Sequence, residues 1–493
     1  MSITQVRTDM ANRGRERPPV TAPVQRLEAG AGIGPVAVLL GISGWLFPFI
    51  GSSIPAFWGD EAASNMSAER PLALIWPELG RVDAVHGAYY VFLHFWIDAF
   101  GASELSVRLP STVADGTAVA GTAVVVDRLF THVPAARRIA IMTGAVMILL
   151  PRVDHMAAEG RSYAIGATVA VWLTVFLREL LNRRVTRLML WFALAAVFAF
   201  SICVFLYLVL LALVFPIAVL ATRPGRAVVR RWFFASAVGT MLAAPVIVYA
   251  LSKHGQIALL AHHNYVTVTR MVVTRWFGNP WPAIACWALI LVAVITLLCS
   301  RSRAVMLLLG WLTLPISILI LGNTFIAPVY SIRYLSLATP AVAILIAVGV
   351  STLFSRGAAA GWIRVQAVVA PFGLAQPTNV FERTEFVKDG GSDLRQAAQV
   401  IGAHANQGDA VVFDVTLRTP YTRRSGIWDS VSSIAEIAPS VNGISTVWDL
   451  ELSTPASSST PVNVLAIERL GYSISRQLPV HRTVVYELIR ETP

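Results

Sequence analysis

Long apolar runs separated by short polar clusters dominate the first three quarters of the chain. A helix needs roughly 20 apolar residues to cross the ~30 Å hydrocarbon core of a bilayer. Runs near that length fall at 33–51, 109–127, 139–151, 162–178, 188–205, 206–222, 232–251, 281–300, 304–322, 338–355 and 362–376. The stretch 188–222 is too long for one span and is divided in two. The run 139–151 is short and stops at Pro151, and the last run is interrupted by Pro371. The pattern predicts a polytopic α-helical membrane protein, with about 11 transmembrane helices within residues 33–376.

The segment His86 to Phe100 is apolar and rich in aromatics, but it has only 15 residues and carries His94 and Asp98. We read it as a helix lying in the membrane interface, where aromatic side chains anchor. Residues 52–108 then form one long first external loop. From about residue 377 the pattern changes. The stretch 393–404 has helical periodicity, and Gly408-Asp409-Ala-Val-Val-Phe-Asp414 reads as turn, then strand. Val462–Ile467 and Thr483–Ile489 also read as strands, with a Ser/Thr-rich loop at 453–460. Residues 377–493 are expected to form a soluble α/β domain.

Charge supports this layout and gives it a direction. The chain has 493 residues, 56% hydrophobic and 14% charged, against about a quarter charged in soluble domains. Twenty arginines fall in the N-terminal segment 1–32 and in the alternate loops that share its side, and nine basic residues fall in the opposite, longer loops. That asymmetry is the positive-inside pattern. It places the N-terminus in the cytoplasm and, with an odd number of spans, the C-terminal domain outside. It also accounts for most of the +11 net charge, so no nucleic-acid partner is expected. No cleavable signal peptide is expected, because the first apolar run is too long and too late for one. Cys203, Cys286 and Cys299 lie in apolar runs without metal-ligand spacing. There is no Walker motif, no GxGxxG between strand and helix, and no GxSxG.

The candidate chemistry lies in the external loops. Asp60-Glu61 follows the first span, flanked by Phe57 and Trp58. A solvated helix N-terminus would also favour such a pair, but carboxylates beside a membrane surface are costly unless used. Asp83, His86, Tyr89 and Tyr90 open the aromatic helix, where amphipathic anchoring is the bland alternative. A second external loop holds Arg152, Asp154, His155, Glu159, Arg161 and Tyr163, which either bind an anion or balance one another. Lys253, His254, His262 and His263 occupy a third, without HExxH spacing. Arg333 and Tyr334 open the tenth span from outside, against the charge bias; a phosphate partner would explain this arginine, and snorkelling to headgroups would too.

The order of these motifs carries a resemblance. Asp-Glu after span one, "HGAYY" at 86–90, "SELSVRLPS" at 103–111, "EGRSYA" at 159–164 and "RYLSLATPA" at 333–341 together resemble the GT-C glycosyltransferases that use polyprenyl-phosphate sugars. The branch containing protein O-mannosyltransferases and the lipid A aminoarabinose transferase is the nearest in pattern. The Arg-rich, Lys-poor usage and the tail beginning "DLRQAAQVI" resemble actinobacterial mannosyltransferases. The resemblance covers roughly residues 30–355. It implies an inverting transfer of a sugar, mannose first, from a polyprenyl-phosphate donor to a glycan, lipid or protein acceptor at the outer face of the plasma membrane.

On that resemblance Asp60 is the catalytic base, with Glu61 orienting it or the acceptor. Arg161 and Arg333 would stabilise the leaving phosphate, with Lys253 and Arg152 behind them. His86, Tyr89, Glu159, Tyr163 and Tyr334 would contact substrate. No cofactor is expected; a divalent metal would need a second carboxylate such as Asp154 or Glu159. Where the aminoarabinose branch has Lys-Pro or His-Pro-Pro before the aromatic helix, this chain has His86-Gly87-Ala88. The other readings are an arabinofuranosyl or other pentosyl transferase, a transporter or flippase of lipid-linked saccharides, and a non-catalytic envelope scaffold. A transporter would want an ionisable residue near mid-membrane, and Asp115 is the deepest acid that the sequence offers.

Overall fold

The computed structural model describes residues 32–80, 83–183, 187–253, 266–326, 329–355, 376–385, 394–413, 430–431, 443–452 and 461–491, together with Gly373 and Val387. Ten of the eleven expected spans coincide with helices. The run 362–376 lies almost wholly outside the described residues, and so do His254, His262 and His263.

The first span is α1 (Gly34–Phe49). Three short helices follow in the expected external loop: α2 (Gly59–Ala68), α3 (Leu72–Leu79) and α4 (Gly87–Phe100), the last being the aromatic helix. The second span, α5 (Glu104–Leu129), starts five residues earlier than its apolar run. Ser103 caps it by accepting a bond from the Ser106 amide, the usual service of a serine at this position. The loop therefore ends at about residue 103. α6 (Ala136–Leu149) is followed by α7 (Pro151–Ala157) after a 63° bend. Pro151 cannot donate to the helix and forces the residue before it into extended backbone; Leu150 has φ −70° and ψ 122°.

Next come α8 (Tyr163–Asn182), α9 (Leu188–Val204), α10 (Leu211–Thr222), α11 (Arg226–Ser252), α12 (Pro280–Cys299), α13 (Ala304–Phe325) and α14 (Thr339–Ser355). A 3₁₀ segment, Ile332–Ala338, leads into α14. Six of these helices are long and apolar enough to cross a membrane, or seven counting the bent pair α6–α7, and α1, α9 and the 206–222 segment are shorter apolar helices. Leu39, Phe192, Phe200, Phe233, Phe234, Met241, Leu291 and others stand exposed around the bundle. Such a belt suits lipid and not water.

Between α1 and α5 the packing uses small residues. A Cβ on Gly116 would meet the Gly41 carbonyl oxygen at 2.5 Å, and one on Gly44 would meet Val119 at 2.7 Å. Lipid tails are as apolar as leucine, so close backbone approach supplies much of the attraction between such helices. Asp115 is fully buried in α5.

The C-terminal region holds α15 (Leu394–His404), β1 (Ala410–Phe413), β2 (Ser430–Val431), β3 (Thr446–Leu452), α16 (Val462–Glu468), β4 (Tyr472–Val480) and β5 (Thr483–Arg490). The sheet order is β2-β1-β3-β5-β4, parallel between β2, β1 and β3 and antiparallel at the other two pairings. Leu394, Ala397 and Ile401 pack with Val411 and Trp448 on one face, and Val464 and Ile467 pack with Val412 and Val447 on the other. The segment 462–467, expected as a strand, is a helix. Its alternation is imperfect, and its residues Val464 and Ile467 are three apart, which puts them on one helical face. This region touches the bundle at the end that carries α2. Arg395 donates to Glu104 at 3.0 Å and to the carbonyls of Ser53 and Ile54 at 3.3 Å.

Candidate active site

Asp60 lies in the first turn of α2, where a helix N-terminus favours a carboxylate. Its side chain is 39% exposed at the end of the bundle. The Nη1 of Arg333 donates to its Oδ2 in a very short contact, and the Nη2 of Arg161 lies 3.8 Å from its Oδ1. One carboxylate is thus clasped by two guanidinium groups that are 172 positions apart in sequence. The Arg333 guanidinium also stacks on Trp58, its Cζ 3.9 Å from the ring centroid, and its carbonyl accepts from Arg152 Nη2 at 3.1 Å.

Arg161 is 3% exposed. It donates to the Tyr90 hydroxyl at 3.2 Å and lies 3.6 Å from Asp83, and the Tyr90 hydroxyl donates to Asp83 at 2.5 Å. Burial opposes the charge on Arg161, but Tyr90, Asp83 and Asp60 outweigh it and hold the guanidinium protonated. Burial alone would raise the Asp83 carboxyl; the Arg161 charge and the Tyr90 hydroxyl hold it below its ordinary value. Asp83 has φ +55°, a left-handed conformation that is uncommon outside glycine and clusters at functional sites.

His86 is buried beside this group. Burial first, then the Arg161 charge, depress its pKa to about 3, so the imidazole is neutral. Burial also pushes the Tyr89 hydroxyl well up. Tyr163 and Tyr334 form an aromatic wall with Tyr207: Tyr334 stacks on Tyr207 at 4.3 Å, and the Tyr163 and Tyr334 centroids are 6.5 Å apart.

Glu61, expected to orient Asp60 or the acceptor, is taken up elsewhere. It is fully buried and receives the Nε and Nη2 of Arg108 at 2.8 and 2.7 Å, and the amide of Gly160 at 2.8 Å. Arg108 also donates to the carbonyls of Ser52, Pro55 and Ala56. This pair ties α2, the 50–56 turn, α5 and the 158–162 turn into one unit, with Asp60 and Arg161 each one residue from an anchored position.

Glu159 is likewise buried, facing His155 at 3.2 Å, and His155 faces Glu382 at 3.0 Å on its other nitrogen. Asp154 takes both terminal nitrogens of Arg383 at 2.9 and 2.7 Å. Asp154 and Glu159, either of which could serve as a second carboxylate for a metal, thus face Arg383 and His155, and no group of three metal-ligating side chains converges among the described residues. Lys253 stands over the Tyr249 ring at 5.9 Å, outside this cluster.

Four members of the site lay outside the sequence selection or at its edge: Trp58, Tyr90, Tyr207 and Arg275. Arg275 is 1% exposed, stacked between Trp276 (4.9 Å) and Tyr330 (5.5 Å), and its Nε and Nη2 make no hydrogen bond. Burial, and the nearby positive charge of Arg152, lower its pKa to about 10, with Tyr330 opposing. An arginine in a loop stretch without acids, 253–279, was the signal the sequence offered for it.

The arrangement suits group transfer involving an anion. It presents one exposed carboxylate and a basic wall of Arg161, Arg333, Arg152 and Arg275, all at one end of a membrane bundle. No family model matches the chain, and no curated protein sequence does. Solved structures match by shape. ArnT from Cupriavidus metallidurans, bound to undecaprenyl phosphate, superposes with a TM-score of 0.59 at 14% identity, over 93% of this chain and 98% of ArnT. Its apo state gives 0.57 at the same identity. The arabinofuranosyltransferase AftD from Mycobacteria gives 0.53 at 15% identity, over 94% of this chain but 40% of AftD. The fold is GT-C.

Proposed function

We propose that this chain is an inverting glycosyltransferase that moves a sugar, mannose first, from a polyprenyl-phosphate donor to a cell-envelope acceptor at the outer face of the plasma membrane. The observation that carries the reading is the Asp60 carboxylate held between Arg333 and Arg161 at the open end of a GT-C bundle.

In this reading Asp60 is the catalytic base. It takes the proton of the acceptor hydroxyl as that oxygen attacks the anomeric carbon and the bond to the phosphate breaks. The leaving phosphate needs cations, not an acid, because it departs as a stable anion. Arg161 and Arg333 supply them, and Arg152 and Arg275 extend the basic wall. The donor phosphate competes with Asp60 for the same two guanidiniums. Donor binding thus draws the arginines off and frees a carboxylate that they otherwise neutralise. His86, Tyr89, Tyr163 and Tyr334 wall the sugar. Glu61 and Glu159 hold the loops in place. Positive-inside asymmetry supports the orientation, with the site and the C-terminal region outside.

The test is transfer from radiolabelled polyprenyl-phosphate mannose by protein reconstituted in liposomes. Asp60→Asn is expected to cut the rate about 10²–10⁴-fold while insertion is unchanged. Full activity of that variant would end the assignment of the base. The same assay with a polyprenyl-phosphate arabinofuranose donor separates the hexosyl from the pentosyl reading, and transport without transfer would replace both.

A further inference from the structure

At the opposite end of the bundle four helices leave a cavity of about 420 Å³. Its place follows from α8, whose first turn adjoins Arg161 and whose last turns carry Arg178, roughly 25 Å away at 1.5 Å per residue. The lining includes Arg128 at the end of α5, His132 beyond it, Arg178, Arg223 after α10 and Arg303 before α13. No carboxylate lines the cavity among the described residues.

Two of the four arginines donate to neutral partners. Arg178 donates to the Thr222 hydroxyl at 3.0 Å and the Arg128 carbonyl at 3.1 Å, and its Nε makes no hydrogen bond. Arg303 donates to the Ala221 carbonyl at 3.3 Å. No carboxylate lies within ion-pair distance of Arg178, Arg223 or Arg303 among the described residues; Arg128 alone is paired, to Glu179 at 2.6 Å and Asp127 at 3.8 Å.

The bland account is that these arginines only complement helix ends. Three C-termini, of α5, α8 and α10, meet the N-terminus of α13 here. Each end carries about half a charge, so the helices contribute a net of about −1. Three unpaired guanidiniums exceed that by about two positive charges. Arg178 is half-buried and, with the exposed Arg223 and Arg303, lines one shared concavity. Its volume lies within the ~300–1,000 Å³ of ligand pockets.

We propose that this cavity binds a phosphate group on a small headgroup, with Arg178 and Arg303 as its principal ligands. Planar guanidiniums suit phosphate oxygens two at a time. The phosphate comes either from an anionic phospholipid of the adjoining leaflet or from a soluble phosphoester, and the chemistry of recognition is the same.

The test uses the full chain in neutral detergent and follows the thermal unfolding midpoint. One arm titrates dioleoyl phosphatidylglycerol in mixed micelles, and the other titrates glycerol 3-phosphate. A ligand that binds the folded state raises the midpoint saturably. We expect saturation in at least one arm, with affinity reduced at least tenfold in Arg178→Gln/Arg303→Gln. Arg137→Gln/Arg138→Gln removes the same charge from exposed positions outside the cavity and is expected to leave the affinity unchanged. Saturation in the lipid arm alone assigns a headgroup; saturation in the soluble arm assigns a free phosphoester. An equal loss in both double variants, or no saturable shift in either arm, overturns the proposal. If the cavity variant fails to fold, Arg223→Gln provides the same comparison.

Discussion

The Glu61→Gln variant tests the anchor beneath the candidate base. The substitution keeps the volume and one acceptor but removes the charge. Arg108, fully buried, then loses its carboxylate partner and keeps the carbonyl acceptors of Ser52, Pro55 and Ala56 beside the new neutral amide. Removing one partner of a buried pair costs ~3–5 kcal/mol, because the other charge is left uncompensated in a poor solvent. Total stabilities are about 5–15 kcal/mol, so this variant should lie close to unfolding. Arg108→Met should be worse. Among the described residues Arg108 makes five hydrogen bonds, and losing it takes the guanidinium from the buried Glu61 carboxylate and one donor from each of three carbonyls, each lost buried bond costing about 1–3 kcal/mol. The assay is reversible unfolding in mixed micelles, paired with sugar transfer at a temperature where both variants remain folded. Transfer should fall as well, because Asp60 and Arg161 each adjoin an anchored residue. A loss under ~1 kcal/mol for Glu61→Gln, or a milder effect for Arg108→Met, would refute a desolvated, five-bonded anchor. A stable Glu61→Gln protein that transfers no sugar would instead return Glu61 to the chemistry.

Three further outcomes are expected. Arg275→Gln should raise the apparent KM for the lipid donor several-fold with less effect on kcat, as measured by steady-state transfer; an unchanged KM removes Arg275 from the phosphate wall. His155 titrates at about 9, because Glu382 and Glu159 outweigh the opposing effect of burial. A raised folded value stabilises fully below the ordinary pKa near 6.5 and is lost as pH climbs to 9, so wild-type stability should decline across that window and His155→Gln should lack that component. Asp154, raised by burial to about 7 against the pull of Arg383, acts below this range, so equal slopes for the two proteins above pH 7 would contradict the assignment. Gly116→Ala should destabilise the α1–α5 contact by about 1–3 kcal/mol, since the new methyl meets a backbone oxygen at 2.5 Å; a neutral unfolding midpoint would show that these helices can part without cost.

Much of the architecture was legible from local pattern. Hydrophobic run length located ten helices within a few residues, because a helix in lipid must satisfy its own backbone and be apolar along its length. The aromatic helix 87–100 was separable from a span by its length and its ionisable residues. Reading failed where the signal was short or shared. The segment 462–467 is too brief for periodicity to choose between helix and strand, and packing of Val464 and Ile467 under the sheet decided it. The strands β3 and β4 were missed: β4 carries polar residues at exposed positions that blur the alternation, and β3 places Asp449, a polar residue, in the buried interior.

For the candidate site the sequence by itself determined the inventory: which carboxylates, arginines and aromatics fall in loops of one side, since charge asymmetry is a property of composition along the chain. Only the tertiary structure decided who meets whom. Asp60 and Glu61 are adjacent in sequence, yet a helical turn points successive side chains about 100° apart. One therefore faces Arg333 and Arg161 in the open, and the other faces Arg108 in the interior. The contact between Asp60 and Arg333 spans 273 positions, and it exists because the bundle brings the N-terminus of α2 to the 3₁₀ segment before α14. No local pattern encodes such a meeting, because it depends on how every helix between them packs.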